Sequence, residues 1–533
     1  MGTAQTLAEA AARHAAERPG HPAVLCEGRV TDYRRIDEES SRAARAILAA
    51  GLGTGSRVAY LGKESEHYYE LALACAKAGT VLVPVNWRLT AGEAEHILSD
   101  SAAELLFAEP AFGELVEKVR PLLPGLRQVV ELAPPGESGG QRAWAAGFAA
   151  TPPGTAGGPD DAVLQIYTSG TTGAPKGVVL AHRSFFTLPA AMAGAGVAWI
   201  DWLPTDRNLI SLPGFSIAGM GWFMHGFAAG GTNVVMRMFV SEEAVRLIAE
   251  HGVTTTFAAP AMLQMMIEER GASKAAFRSL RKVAYGAAPM SDALLGRCLE
   301  LLDCEFAQIY AATETGTVAV CLPPEDHWVG SPVLGSVGRA CPGHRLKVVD
   351  DAGEELPPGA IGRVCVSTPA RMLGYWGLPG ATADAIDGEW LRMGDAGYLT
   401  EDGYLYLCDR INDTIIAAGQ NIYPAEVEKA LDGHPAVAES AVLGVPDELW
   451  GDAVLACVVV RPGRAVTPRE LLRHLSGRLA DYKTPTRWEF VDAVPRNPTG
   501  KILRRVLRER YLAAAAAPAA PTAAALLSEG DLR

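Results

Sequence analysis

The sequence predicts a large α/β domain, a β-rich stretch after it and a small α+β unit at the C-terminal end. Three observations carry this. Short apolar strands alternate with helical stretches over roughly the first 290 residues, the pattern of a mainly parallel sheet covered by helices. From about residue 340 closely spaced strands and glycine turns take over, and from about 413 helices return between strands. A chain of 533 residues is also too long for one core, so several domains or subdomains are expected.

The elements follow in order. AEAAARHAAER (8–18) has helical spacing, and PAVLCEG with RVTDYRRI reads as strand, glycine turn and a second strand entering a helix. RVAYLG (57–62), TVLVPVN (80–86) and ELLFAE (104–109) read as buried strands, with HYYELALACAKAG (67–79) a helix between the first two. VLQIYTS (163–169), TNVVMRM (232–238), TTTFAA (254–259) and KVAYGAA (282–288) continue the strand series. HRLKVVD, GEEL, GRVCVST and GYLYLCDR read as short strands joined by Gly-Glu, Asp-Gly and Pro-Gly turns. In the last unit AEVEKALDGH and RELLRHLSGRLA are helical, and SAVLGV and AVLACVVV are strands. After Tyr511 the alanine-rich tail carries no core pattern and reads as disordered.

Composition narrows the function. About half the residues are apolar and 20% are charged, and the net charge is −13. That argues against a nucleic-acid binder or a basic membrane-surface protein. The nine cysteines are scattered without CxxC or metal spacing, as in a cytoplasmic protein with reduced thiols. GMGWFMHGFAAGG (219–231) is too short to span a bilayer and reads as a buried element. The start carries charges throughout and no signal-peptide run.

The strongest chemical signal is Tyr167-Thr-Ser-Gly-Thr-Thr-Gly-Ala-Pro-Lys-Gly177. A buried strand runs into hydroxyls, glycines and one lysine. Glycines allow close backbone approach, and exposed N–H groups with a cation suit phosphate oxygens. The Gly-Lys-Ser/Thr ending of a P-loop is absent.

TSGTTGAPKG resembles the phosphate loop of the superfamily of acyl-CoA synthetases, peptide-synthetase adenylation domains and luciferases. PVNWRL (84–89), GAAPMS (286–291), YAATETG (310–316), WLRMGDAGYLTEDGYLYLCDR (390–410), GQNIYPAEVE (419–428) and PRNPTGKILRR (495–505) follow in family order. The resemblance covers about residues 5 to 510 and is nearest to fatty-acyl and aryl-CoA ligases. It implies an N-terminal domain over 1–410, built of two α/β subdomains and a β-rich one. A hinge at 411–412, a small mobile α+β domain over 413–512 and a tail over 513–533 complete it.

The implied activity is ATP-dependent: a carboxylic acid becomes an acyl-adenylate and then an acyl-CoA. On this resemblance Thr168, Ser169, Gly170, Thr171, Thr172, Gly173 and Lys176 hold the ATP phosphates. Gly286, Ala287 and Ala288 line the adenine and Tyr310 stacks on it; Thr313 meets the α-phosphate; Glu314 ligates Mg²⁺. Asp395 and Arg410 contact the ribose, and Lys501 bridges the substrate carboxylate and the α-phosphate. Lys501, Thr313, Glu314 and Lys176 form the expected catalytic set. Phe215, Ser216, Gly219, Ala311, Ala312 and Gly335 are expected at the acyl pocket, Asn412 at the hinge, and Gly419, Gln420 and Asn421 along the CoA tunnel.

The pattern departs from the family at several positions. Ser216 stands where a His or another large side chain is usual, which would widen the pocket wall and add a hydroxyl. Ala311 replaces a glycine, Asn412 a Lys or Asp, and Ala418 and Gln420 a Gly and a Glu. These changes fall where the second half-reaction is shaped. They keep open an acceptor other than CoA: a carrier-protein thiol, an amine, or an inorganic nitrogen species such as nitrite. A nucleotide-binding relative without turnover is the non-enzyme alternative, against which Lys501, Glu314 and Asp395 are all retained. Neither the acid nor the oligomeric state, a homodimer included, is readable.

Overall fold

The computed structural model describes residues 4–134, 139–155, 157–168, 175–288, 290–410, 413, 415–417, 420–447, 451–476, 478–496 and 502–516. The chain forms two compact units: residues 1–393 with 397–407, and residues from 408 onward with Gly394–Ala396.

The first unit holds two large sheets. One has nine strands, in the order Arg339–Ala340, Val320–Leu322, Glu305–Tyr310, Lys282–Gly286, Thr255–Ala258, Arg207–Ile210, Thr232–Val235, Pro22–Cys26, Arg29–Asp32. The six strands from Glu305–Tyr310 to Pro22–Cys26 run parallel, and the flanking ones are antiparallel. The other has seven: Gly374–Tyr375, Lys176–Ala181, Ala162–Thr168, Val81–Val85, Arg57–Leu61, Leu105–Ala108, Gln128–Glu131. Here the five from Ala162–Thr168 to Gln128–Glu131 are parallel. The β-rich stretch forms a third sheet around Arg345–Val349, Gly362–Ser367 and Trp390–Leu399. GEEL, expected as a strand, is a turn with one bridge, Val349 to Glu355, because its glycine sits at φ +89° and reverses the chain.

One apolar core draws residues from both large sheets, among them Val58 and Leu82 from one and Leu209 and Val234 from the other. Helices Glu66–Ala78 and Ile217–Ala229 lie within it, and Tyr69 stacks on Phe223 between them at 3.4 Å. Every residue of Glu66–Ala78 is buried, although four are charged or basic. Burial without partners would be costly, and the partners are present. Glu66 takes Arg29 at 2.7 Å, Glu70 takes Arg142 and His67, and the Lys77 ammonium reaches Asp37, Ser40 and Ser41 at 2.6–2.9 Å. The stretch GMGWFMHGFAAGG is the second of these helices and stops at Gly230 in the left-handed conformation. Among the described residues no helix is long and apolar enough to cross a membrane.

The second unit is a sheet of Gln420–Ile422, Ile415–Ala417, Gly451–Val460 and Val437–Asp447, with Arg487–Phe490 parallel to Gly451–Val460. Its side chains alternate strictly. Val442, Val454, Ala456 and Val458 face helices Pro424–Asp432 and Pro468–Leu475, whereas Ala441, Leu443, Leu455 and Cys457 face Leu507 of helix Arg504–Ala516. The helix expected to reach residue 480 ends at Leu475, since Ser476 is extended (ψ 126°) and a glycine follows.

Lys77 should be the most sensitive charge in the core. Lys77→Met leaves the Asp37 carboxylate, 15% exposed, without its cation, and should lower unfolding free energy by about 3 kcal/mol. Urea titration measures this; an unchanged midpoint would show that Asp37 is solvated without the lysine.

Candidate active site

Parallel sheets bind ligands beyond the carboxyl ends of their strands, and the sequence-selected residues gather there. Strands Lys282–Gly286 and Glu305–Tyr310 are neighbours, with Gly286 opposite Ile309. A Cβ on Gly286 would lie 2.3 Å from the Ile309 carbonyl oxygen, so only glycine fits. Ala287 follows with φ +67°, exposed. Alanine in the left-handed region is strained and marks a position held for a purpose. Beyond Tyr310 come exposed Ala311, half-buried Ala312 and the 3₁₀ turn Thr313–Thr315. Thr315 fixes that turn: its hydroxyl donates to the Thr317 carbonyl at 2.7 Å and accepts from Ala312 N–H at 3.1 Å. Thr313 and Glu314 are therefore presented on a rigid ledge.

The second sheet supplies the facing wall. Strand Ala162–Thr168 returns as the antiparallel strand Lys176–Ala181, with Thr168 opposite Lys176. Ser169, Gly170, Thr171, Thr172 and Gly173 lie outside the described residues. Strand Gly374–Tyr375 pairs with Lys176–Ala181 and carries Tyr375 between the sheets. The Tyr375 hydroxyl donates to Glu314 Oε1 at 2.8 Å, and Lys176 Nζ sits 5.0 Å from its ring centroid. The Met372 N–H donates to the Glu314 carbonyl at 2.9 Å, fixing the same residue through its backbone. Burial, and then the Glu314 carboxylate, push the Tyr375 phenol up, so it remains a donor. Sequence reasoning missed Tyr375; the GYWG run (374–377) was its only trace.

Lys176 and Glu314 thus meet across one aromatic ring, an ammonium with a carboxylate. This donor set fits a polyphosphate with a hard cation, which one carboxylate and phosphate oxygens can hold together. No group of three metal-ligating side chains occurs among the described residues, so phosphate and water oxygens would complete such a site.

Residues 212–219 form the expected acyl wall. Ser216 caps helix Ile217–Ala229: its hydroxyl donates to the Pro213 carbonyl at 2.8 Å and accepts from Gly219 N–H at 3.5 Å. That hydroxyl is thus engaged in the turn. A Cβ on Gly219 would fall 2.3 Å from the Leu212 and Pro213 carbonyl oxygens, so this glycine is demanded by the turn itself. Phe215 is half-buried beside it. Gly335 faces Tyr406, whose ring a Cβ would meet at 3.5 Å. The turn is gripped from behind: Gly214 N–H donates to Glu64 Oε1 at 2.6 Å, and Tyr68 OH donates to the Gly214 carbonyl at 2.8 Å. Glu64 carried no sequence signal beyond a carboxylate between a strand and a helix.

The remaining expected residues belong to the second unit or lie outside the description. Asp395 is half-buried in strand Trp390–Leu399, in the stretch grouped with the second unit. Arg410 ends strand Leu405–Arg410, and Gln420 and Asn421 lie in strand Gln420–Ile422; the side chains of these three are not described. Asn412, Gly419 and Lys501 fall outside the described residues, as does Ala418.

The model of the AMP-binding enzyme family matches residues 11–376, and that of the AMP-binding enzyme C-terminal domain matches 426–501. The chain belongs to the AMP-binding enzyme family. It is 54% identical over 508 residues to the fatty acid–[acyl-carrier-protein] ligase ScoC of Streptomyces coeruleorubidus, covering 95% of this chain and 96% of that one. It is 35% identical to the indoleacetate–CoA ligase of Aromatoleum aromaticum, over 94% of this chain and 98% of that one. Among solved structures, ATP-bound MatB from Rhodopseudomonas palustris matches with a TM-score of 0.86 at 29% identity, covering 95% and 99% of the two chains. The chain is an adenylate-forming ligase with the α/β architecture of that family.

In this AMP-binding enzyme the pH response should expose the grip on the acyl turn. Burial raises the Glu64 carboxyl from 4.5 to about 7, with the Gly214 N–H and Arg237 opposing. The folded state therefore holds this proton where the unfolded state has lost it. Its stability contribution is complete below about pH 4.5 and is lost as pH rises through 7, roughly 3 kcal/mol in all. Glu64→Gln should remove that slope, so variant and wild type diverge between pH 5 and 8 in urea unfolding. Parallel pH curves would place the Glu64 titration at its ordinary value.

Proposed function

We propose that the enzyme activates a fatty acid as its adenylate and transfers the acyl group to the phosphopantetheine thiol of an acyl carrier protein. The observation that carries this is the 54% identity, over nearly the whole chain, to a fatty acid–[acyl-carrier-protein] ligase, against 35% to a CoA ligase. The departures at Ala311, Asn412, Ala418 and Gln420 support it, since the family resemblance puts all of them where the second half-reaction is shaped. CoA is the second reading, favoured by the full-length likeness to the CoA ligase.

In the first half-reaction the carboxylate oxygen attacks the α-phosphorus, and the bond to the departing pyrophosphate breaks. Thr168 to Gly173 and Lys176 take the phosphates, Thr313 the α-phosphate, and Gly286, Ala287, Ala288 and Tyr310 the adenine. Asp395 and Arg410 take the ribose. Mg²⁺, when bound, neutralises phosphate charge, with Glu314 as its protein ligand. Lys501 offsets the charge shared by carboxylate and α-phosphate as they meet. In the second half-reaction the thiolate attacks the acyl carbonyl, the bond to AMP breaks and AMP leaves. Phe215, Ala311, Ala312 and Gly335 line the acyl chain, and Gly419, Gln420 and Asn421 the pantetheine path.

The test supplies fatty acids of graded length, ATP and Mg²⁺ with either CoA or a holo acyl carrier protein from a bacterial fatty acid synthase, and weighs the thioester by mass spectrometry. Acyl carrier formation with kcat/KM at least about tenfold above that for CoA is expected; efficient acyl-CoA formation with the carrier untouched would reverse the assignment. Lys501→Ala should slow acid-dependent pyrophosphate exchange by about 10²–10³-fold, some 3–4 kcal/mol. Transfer from preformed acyl-adenylate should stay within a few-fold, and equal loss in both steps would remove the role given to Lys501.

A further inference from the structure

The net charge of −13 is unevenly spread. Residues 408–516 are nearly balanced, with fifteen Lys and Arg against fourteen Asp and Glu, and one surface of the second unit gathers exposed arginines. Helix Pro468–Leu475 turns Leu471 and Leu475 into the core and leaves Arg469, Leu472 and Arg473 exposed, spaced three and four apart on its outer face. Leu472 is 39% exposed, an apolar contact between two cations. The turn carrying exposed Arg461 and Arg464 is bonded back to Ala436 through the Arg461 N–H at 2.9 Å. Two residues before Ala436, His434 packs edge-on against His474 of the helix at 5.0 Å. Exposed Arg478 donates to the His474 carbonyl at 2.6 Å. Among the described residues none of these five arginines forms an ion pair with a carboxylate. The nearby acid, Glu470, is turned onto the Thr467 N–H and hydroxyl at 2.8 Å, as the cap of the helix.

The surface also has a definite place in the unit. His474 Nε2 lies 3.0 Å from the Ala430 carbonyl, so helix Pro468–Leu475 packs on helix Pro424–Asp432. The Lys483–Glu426 ion pair at 2.7 Å joins the segment after the arginine helix to the first turn of that second helix. Helix Pro424–Asp432 follows directly on strand Gln420–Ile422, in the motif that resembles the family's thioester-forming face. The arginine helix therefore packs on the helix that continues that motif.

We propose that Arg461, Arg464, Arg469, Arg473 and Arg478, with Leu472 exposed between Arg469 and Arg473, dock an acidic helix of the acyl carrier protein. The inference rests on the carrier reading given above and names the surface that would implement it. Carboxylates on the partner helix face the arginines, an apolar side chain between them meets Leu472, and the pantetheine arm extends past helix Pro424–Asp432. Charges at such an exposed rim act chiefly on encounter and on salt sensitivity.

The test uses the full chain and the same holo carrier, with free pantetheine as a thiol that has no protein to dock. Arg469→Glu/Arg473→Glu should raise the carrier KM at least about tenfold. Pyrophosphate exchange, transfer to pantetheine and the thermal midpoint should be unchanged. Raising ionic strength should raise the wild-type carrier KM and move that of the variant far less. If wild type charges the carrier and the variant matches it, the surface is wrong while the carrier reading stands. If wild type charges only CoA or pantetheine, the carrier reading fails and the docking surface fails with it.

Discussion

The hydrogen bond from the Tyr375 hydroxyl to Glu314 is the joint that ties the two large sheets together where Lys176 and Glu314 meet. Glu314 stands beyond the last parallel strand of the nine-stranded sheet, and Lys176 opens a strand of the seven-stranded one. Neither sheet alone brings a cation to a carboxylate. The two-residue strand Gly374–Tyr375 does so by pairing with Lys176–Ala181 and aiming one side chain across the gap. The same pairing covers an edge that would otherwise expose unpaired backbone. Local choices converge on this point. Met372 fixes the Glu314 carbonyl, Thr315 stiffens the turn below it, and Trp376 donates to the Asp100 carbonyl at 2.9 Å. Such preorganisation is what the expected phosphate chemistry would need, because dipoles placed beforehand cost no reorganisation when charge moves.

The turn over residues 212–219, expected as the acyl wall, is built on a different principle. It has little apolar bulk and is held through one peptide group. Gly214 is seized at its N–H by a buried carboxyl and at its carbonyl by a buried tyrosine, and its Cα presses on the Tyr68 ring so closely that a Cβ would lie 2.5 Å away. Ser216 closes the turn by capping the next helix. Small residues at 214, 216 and 219 are thus requirements of backbone packing. This changes the weight of Ser216 as a specificity signal: a larger residue there would lose the cap, worth about 1 kcal/mol, before it altered any pocket.

The order of strands and helices was legible because each element's period matched its burial: two in the strands of the second unit, and continuous apolar runs in the parallel strands. The family was legible because the chemistry of its glycine and lysine motifs is local. Tyr375 was not, since its role arises only when strands nearly two hundred residues apart pair. Glu64 was not, since its partner, Gly214, contributes a backbone N–H that no side-chain pattern announces. GEEL failed as a strand because alternation over four residues cannot outweigh a glycine at positive φ. The capping role of Ser216 was not legible, because a serine without a Glu or Gln three residues later lacks the capping-box signature, while still able to cap.

The second unit shows how one short sheet can serve two purposes. Strict alternation sends one set of side chains toward helices Pro424–Asp432 and Pro468–Leu475 and the other toward helix Arg504–Ala516. Each helix then needs only a narrow apolar stripe, and its outer face is free to vary without cost to the core. On Arg504–Ala516 two of the four arginines are turned inward to local acceptors: Arg504 to Glu428 at 2.7 Å and to the Val442 carbonyl, and Arg508 to the Gly444 carbonyl, while Arg505 and Arg510 are exposed. On Pro468–Leu475 they are turned outward. Arg469 and Arg473 have no inward acceptor of this kind among the described residues, which argues that they are not there for stability. Exposed charges of one sign without local partners contribute little to folding and repel one another, so their concentration is better accounted for by a partner than by the fold.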